Sequence, residues 1–140
     1  MTYQVLNHTA DIGIKITSNS LTSAFEESVV ALLELIFGKK IRNLSSTEKE
    51  QTIEVSGYDL DSLFIDFMNE ILFLIDGKKI IPLKQKVEFT SKSSLKFKFQ
   101  PYYFSIEQFP IQIYVKAVTY HQLEIKSSGN STEINFYLDI

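Results

Sequence analysis

With 140 residues, of which 44% are hydrophobic and 18 are Phe or Tyr (11 and 7), the chain can bury a core as a single domain over residues 1–140, which excludes a disordered protein. It contains no cysteine, which excludes disulfides and thiolate chemistry, and no apolar run reaches the roughly 20 residues that span a bilayer. The lack of cysteine and of a bilayer-spanning run favours a cytoplasmic protein. The net charge of −3 disfavours RNA binding through phosphates, so we expect no direct sequence-specific nucleic-acid binding.

The first half of the chain contains four predicted elements in order. Alternating isoleucines predict a half-buried strand over residues 11–17, and apolar residues at helical spacing predict a helix over 21–37. A strand is predicted over 51–55, followed by a second amphipathic helix over 60–75. Asp59 precedes this helix, which fits an N-terminal cap.

The second half of the chain alternates between apolar and polar residues, which predicts strands. The predicted strands cover residues 84–90, 95–99, 111–118, 122–126 and 133–139. Two helices with about seven strands, mostly joined as hairpins, predict the α+β class. We expect the two helices to pack on a largely antiparallel sheet.

Two aspartates lie at the ends of predicted strands. Asp11 enters the first strand after the run His-Thr-Ala, where it could equally cap a turn by accepting backbone amides. Asp139 lies near the end of the last strand, which could equally be an ordinary terminal strand. If the two met, their side chains and a terminal carboxylate on Ile140 would share one site.

Such a cluster needs to be neutralised. Like charges ~4 Å apart repel by roughly 4 kcal/mol at an effective dielectric constant near 20. Either one group takes a proton or a cation offsets the charge. Because oxygen-only ligands select hard cations, calcium or magnesium is expected in preference to zinc.

Three further polar residues, Lys116, His121 and Asn69, are functional candidates. Lys116 is predicted to face away from the core, where a lysine is normally solvated. His121 could be a turn residue, since no nucleophile and orienting carboxylate accompany it. Asn69 lies on the polar side of the second helix and is expected to face solvent. Neither a phosphate-binding glycine loop nor a dinucleotide fingerprint is found.

Four segments, in this order, resemble the archease family over essentially the whole chain. They are NHTADIGI at 7–14, DSLFIDFMNEILFL at 61–74, KAVTYH at 116–121 and LDI at 138–140. The sequence departs from the family pattern in three places. Asn7 replaces a frequent Asp, Leu138 replaces a frequent Phe, and a common Gly-Glu pair is not found over 99–106.

The resemblance implies a function that composition does not. Archeases act with RtcB-type RNA ligases, which join tRNA halves in splicing and become guanylylated on a histidine using GTP and divalent metal. The resemblance therefore implies a non-enzymatic activator that promotes this step and multiple turnover. The family's metal ligands map onto Asp11, Asp139 and Ile140.

The resemblance also suggests where the ligase is contacted. Lys116 matches a charged family position and is a candidate for this contact. His8 and His121 lie in the matching segments and are the other candidates.

Two other functions are open at this point. A metal-dependent hydrolase built on the same carboxylates would need a base near a bound water, for which His8 is the candidate. A general chaperone or adaptor of RNA-processing proteins would be expected to expose hydrophobic surface.

Overall fold

The computed structural model describes residues 2–7 and 11–140. Within these residues there are seven strands and two α-helices, which confirms the predicted α+β class. In chain order they are β1 (Thr2–Asn7), β2 (Asp11–Ser18), α1 (Leu21–Phe37), β3 (Gln51–Ser56), α2 (Leu60–Lys78), β4 (Ile80–Ser91), β5 (Ser94–Tyr103), β6 (Ala117–Ser128) and β7 (Ser131–Asp139). A short 3-10 helix, Lys39–Asn43, follows α1.

The strands divide between two antiparallel sheets. The first has the order β1-β2-β7-β6 and the second the order β3-β5-β4. Helix α1 contacts β2 and β7 of the first sheet and β4 of the second. Helix α2 contacts β6 of the first sheet and β3 and β4 of the second. Both helices therefore connect the two sheets.

An aromatic cluster joins the helices to both sheets. Phe25 of α1 lies edge-on to Phe64 of α2, with ring centroids 5.1 Å apart, and stacks on Phe67 at 5.8 Å. Phe64 in turn meets Phe136 of β7 at 5.1 Å, and Phe67 meets Phe97 of β5 at 5.2 Å. All five side chains are fully buried, so each stabilises the fold by about 1.5–3 kcal/mol relative to exposure.

Local signals set the ends of the helices. The Ser20 side chain accepts a hydrogen bond from the Ser23 amide at 3.1 Å, and Gly38, with φ of 86°, ends α1. Helix α2 starts with a reciprocal pair of bonds between Asp59 and Ser62. Within the described residues, neither helix combines the length and apolarity needed to cross a membrane.

The predicted strand over residues 111–118 is wrong for most of its length. β6 begins at Ala117 and also includes the predicted strand over 122–126. The alternating apolar residues before it cover the end of α1 instead, where the Gln112 amide donates to the Ile36 carbonyl at 2.7 Å. Strand β1, which the sequence reasoning did not predict, forms one edge of the first sheet.

Candidate functional site

Strands β2 and β7 place Asp11 and Asp139 directly opposite each other. The two strands pair continuously from Asp11 with Asp139 to Ser18 with Thr132. Directly opposed residues of an antiparallel pair project from the same face, with Cβ atoms about 4.5–5.5 Å apart. The two carboxylates that the sequence singled out therefore lie together at one end of the first sheet.

The apolar residues of both strands fix this register. Ile14 pairs with Phe136 and Ile16 with Ile134, and all four side chains are fully buried against the helices. A slip by one residue would turn these side chains to solvent and bring the polar ones inward. The core thus keeps the carboxylates on the outer face of the sheet.

Strand β6 supports Asp139 from its other side. Ala117 pairs with Asp139, and the Lys116 amide donates to the Asp139 carbonyl at 2.7 Å. The Lys116 side chain is exposed. Among the ion pairs formed by the described residues, none involves Asp11, Asp139 or Lys116. Neither carboxylate therefore forms an ion pair with a lysine of the described residues.

Tyr137 lies on the same outer face, two residues before Asp139. Only 7% of it is exposed, because the ring covers Gly13 of β2. A Cβ atom on Gly13 would stand 2.7 Å from the Tyr137 ring, so the close approach requires glycine. The His121 ring meets Tyr137 edge-on at 5.7 Å. His121 thus lies on the face that carries the two aspartates.

His121 reaches this position through an irregularity in β6. Pairing with β7 is interrupted between Thr119 and Glu124, so four residues of β6 oppose Phe136 alone. Gln122, within this stretch, has φ of 52°. The sequence had suggested that His121 is a turn residue, and the structure places it in a distorted part of a strand.

The surroundings of the Asn69 side chain differ from those predicted from the sequence. Instead of facing solvent, its side chain donates from Nδ2 to the Val118 carbonyl at 3.1 Å. Its Oδ1 accepts from the Val118 amide at 3.0 Å. An asparagine on the polar side of a helix gives no indication in the sequence of the strand that it meets.

The chemistry of the donor set decides which cation the site can accept. Asp11 is half-buried, Asp139 is exposed, and Ile140 follows at 41% exposure. Within residues 2–7 and 11–140 no three His, Cys, Asp or Glu side chains gather at one point, so a cation there would also need main-chain oxygen and water. Such an oxygen-only set fits a calcium or magnesium ion. His8 lies outside the described residues.

Comparison with known proteins identifies the family. The model of the Archease protein family (MTH1598/TM1083) matches residues 3–140. A protein archease of Sulfurisphaera tokodaii is 29% identical over 141 residues, covering 99% of this chain and 98% of the relative. One from Pyrococcus abyssi is 36% identical over 124 residues, covering 85% and 84%. A protein archease-like of Drosophila melanogaster is 34% identical over 130 residues, covering 89% and 80%.

Solved structures share the fold. The solution structure of Methanobacterium thermoautotrophicum protein 1598 aligns with a TM-score of 0.77 and 25% identity, covering 99% of this chain and 98% of the other. The crystal structure of an archease of Thermotoga maritima, reported as a possible chaperone, aligns with a TM-score of 0.65 and 23% identity. It covers 96% of this chain and 94% of the other. The family model, the relatives and the fold agree, and the chain belongs to the archease family.

Proposed function

We propose that this protein activates the RNA ligase that joins tRNA halves in tRNA splicing. In this role it promotes the GTP-dependent guanylylation of an RtcB-type ligase and its multiple turnover. The observation that carries the proposal is the pairing of Asp11 with Asp139, in a chain that belongs to the archease family. The absence of cysteine suits the reducing cytoplasm, where we place this activity.

The paired carboxylates are the proposed binding site for a divalent cation, calcium or magnesium. Asp11, Asp139 and a main-chain oxygen of Ile140 would hold it. A cation bound there would offset the two negative charges and attract phosphate oxygens. The exposure of Asp139 and Ile140 leaves this end of the sheet accessible to a partner.

In this proposal, the residues of this protein bind the cation and the ligase and orient the reacting groups. The nucleophile is the histidine of the ligase, so the protein acts as an activator and not as an enzyme. The carboxylates enter the ligase's active-site region, and Lys116 and His121 contact the ligase from the adjoining strand β6, with His8 as the third candidate. Positioning and charge stabilisation supply most of the catalysis of phosphoryl-transfer reactions.

The test is guanylylation of the cognate ligase with GTP and divalent metal, with and without this protein. We expect Asp11→Asn and Asp139→Asn each to reduce the stimulated rate by about tenfold or more, because each removes one charged ligand. Calcium binding, measured by calorimetry, should weaken in parallel. Glu133→Gln is the matched control. It removes a carboxylate from the same strand and face, but one that is paired with Lys15 at 3.7 Å.

Three results would decide against the proposal. Full stimulation by both aspartate variants would exclude the carboxylate mechanism. Suppression of aggregation of unrelated proteins, without stimulation of the ligase, would indicate a general chaperone. Hydrolysis by the isolated protein that is lost in His8→Ala would indicate a metal-dependent hydrolase.

A further inference from the structure

We propose that Asn69 of α2 is a positioning residue for the carboxylate site. It holds the start of β6, and β6 in turn sets the positions of Lys116 and Asp139. The inference deepens the proposed function and rests on it for its effect on the ligase. Its structural part, the placement of Asp139, can be tested without the ligase.

The contact between Asn69 and Val118 replaces a missing strand. Among the strands of residues 2–7 and 11–140, β6 is the outermost of the first sheet, so its outer edge has no described strand to pair with. Val118 is only 2% exposed, and a buried amide and carbonyl both need partners. Asn69 provides both, with bonds of 3.0 Å to the amide and 3.1 Å to the carbonyl.

The pairing of β6 with β7 beside Asp139 is short, so the contact of Asn69 with Val118 is important for holding β6 in place. The regular ladder comprises Ala117, Val118 and Thr119, opposite Asp139, Leu138 and Tyr137. The residues immediately before Ala117 form no strand, and pairing is interrupted after Thr119. Asn69 therefore forms both of its hydrogen bonds with Val118, the middle residue of a three-residue ladder that lies between two irregular segments.

The ladder leads directly to the proposed site. One residue before it, the Lys116 amide donates to the Asp139 carbonyl at 2.7 Å. If the ladder frayed, this bond and the pairing of Ala117 with Asp139 would be lost together. Asp139 would then be held only by β2, and its carboxylate would no longer be fixed opposite Asp11.

Asparagine meets a requirement that its closest substitutes do not. The contact needs one donor and one acceptor at the end of a short side chain. Leucine has neither group, while an ionised aspartate keeps the acceptor but repels the Val118 carbonyl. Asn69→Leu thus removes both bonds, and Asn69→Asp removes the donated one.

A second helix-to-strand bond provides a matched control. The Glu26 side chain of α1 accepts a hydrogen bond from the Val87 amide of β4 at 2.9 Å. β4 is an edge strand of the second sheet and pairs with β5, not with the strand β7 that carries Asp139. Glu26→Leu therefore breaks the same kind of contact and destabilises the fold without acting on β6.

The experiment uses the full chain and three measurements: melting temperature, amide hydrogen exchange by NMR, and binding of terbium ion in place of calcium. Terbium luminescence is excited through nearby tyrosines, and Tyr137 lies on the face of the site. We expect Asn69→Leu to accelerate exchange at residues 117–119 and at Asp139, and to weaken terbium binding by about tenfold. Asn69→Asp should show a smaller effect in the same direction, and it keeps the test available if the leucine variant does not fold.

Glu26→Leu should lower the melting temperature but leave terbium affinity unchanged. Equal losses of terbium affinity in Glu26→Leu and Asn69→Leu would overturn the inference, as would unchanged exchange at residues 117–119 in Asn69→Leu. If the wild-type protein does not bind terbium, the metal proposal fails, whereas exchange at Asp139 still decides the positioning role. If Asp139→Asn abolishes ligase stimulation but Asn69→Leu leaves stimulation and exchange unchanged, only the positioning role fails.

Discussion

At the scale of single residues, Glu34 is the most constrained charge in the described structure. It is 7% exposed and accepts bonds from Arg42 at 2.7 and 2.8 Å and from the Tyr3 hydroxyl at 2.7 Å. The Arg42 guanidinium lowers the pKa of Glu34. Burial, together with the bond to Glu34, raises the pKa of Tyr3 to about 12. The three residues tie β1, the strand that leads towards Asp11, to α1.

These shifts predict how stability depends on pH. The lowered pKa of Glu34 stabilises the fold above its unfolded-state pKa of roughly 4.3, and this stabilisation declines as the pH falls below that value. The raised pKa of Tyr3 acts in the opposite range. Its contribution is complete below about pH 10 and is lost as the pH rises towards about 12.

The variant Tyr3→Phe tests the predicted loss of stability at alkaline pH. We expect the variant to be less stable at pH 7 by about 1 kcal/mol, because the hydroxyl bond to Glu34 is lost. The difference from wild type should shrink between about pH 10 and 12, where the wild-type hydroxyl ionises. Urea unfolding at several pH values measures it. A difference that stays constant to pH 12 would contradict the assignment. Tyr114→Phe, which alters a ring that is 64% exposed, should leave stability at pH 7 unchanged.

At this scale the sequence was informative where a residue's role depends on its own strand. The predicted strand over 133–139 was confirmed as β7, and its alternation with buried neighbours leaves Asp139 on the outer face. That Asp11 stands opposite Asp139 is a long-range pairing, which the sequence reasoning could state only as a condition. The contact of Asn69 was missed because it depends on how a helix meets a strand far along the chain.

At the scale of elements, the helices were predicted best. The predicted bounds 21–37 agree with α1, whose signals are local: a serine cap, apolar spacing and a terminal glycine. α2 continues to Lys78, beyond its predicted end at 75, and closes with a left-handed residue, Lys79. Strand β1 was missed, and β6 was the least accurate of the predicted strands, because its interruption by unpaired residues breaks the alternation by which strands are recognised.

The start of α2 can be tested by removing its cap. Asp59→Ala removes the acceptor of the bond from the Ser62 amide at 2.8 Å. We expect a loss of about 1 kcal/mol in the free energy of unfolding, or about 3–4 °C in melting temperature. Calorimetry measures this. Asp66→Ala, at an exposed position inside the same helix, is the control and should change little. Equal melting temperatures for the two variants would show that the cap does not stabilise α2.

At the scale of the whole molecule, both sheets pack their inner faces against the two helices. Phe25 contacts α2 through Phe64 and Phe67, and reaches the second sheet through Phe89 at 5.0 Å. Because Phe64 also meets Phe136, one connected set of rings joins the two sheets. The sequence indicated the apolar stripes of both helices but not the division of the strands between two sheets, since register and strand order depend on distant pairings.

Phe25→Ala tests this connection. We expect the free energy of unfolding to fall by about 3–5 kcal/mol, since a large cavity opens in the core. Exchange probes in β2 and in β5 should report one common transition, which would support the prediction of a single domain over residues 1–140. Separate transitions for the two sheets would contradict it. Phe73→Ala, where the ring is 53% exposed, should cost about 1 kcal/mol or less.

The pairing of β2 with β7 also affects when the acidic pair, Asp11 and Asp139, can form during synthesis. The two aspartates are contributed by strands that lie far apart along the chain, and the loop between them is among the costliest for the chain to close. A growing polypeptide therefore cannot assemble the acidic pair until β7 has been synthesised. The acidic pair then forms only when β7 pairs with β2, after the segments between these two strands have been made.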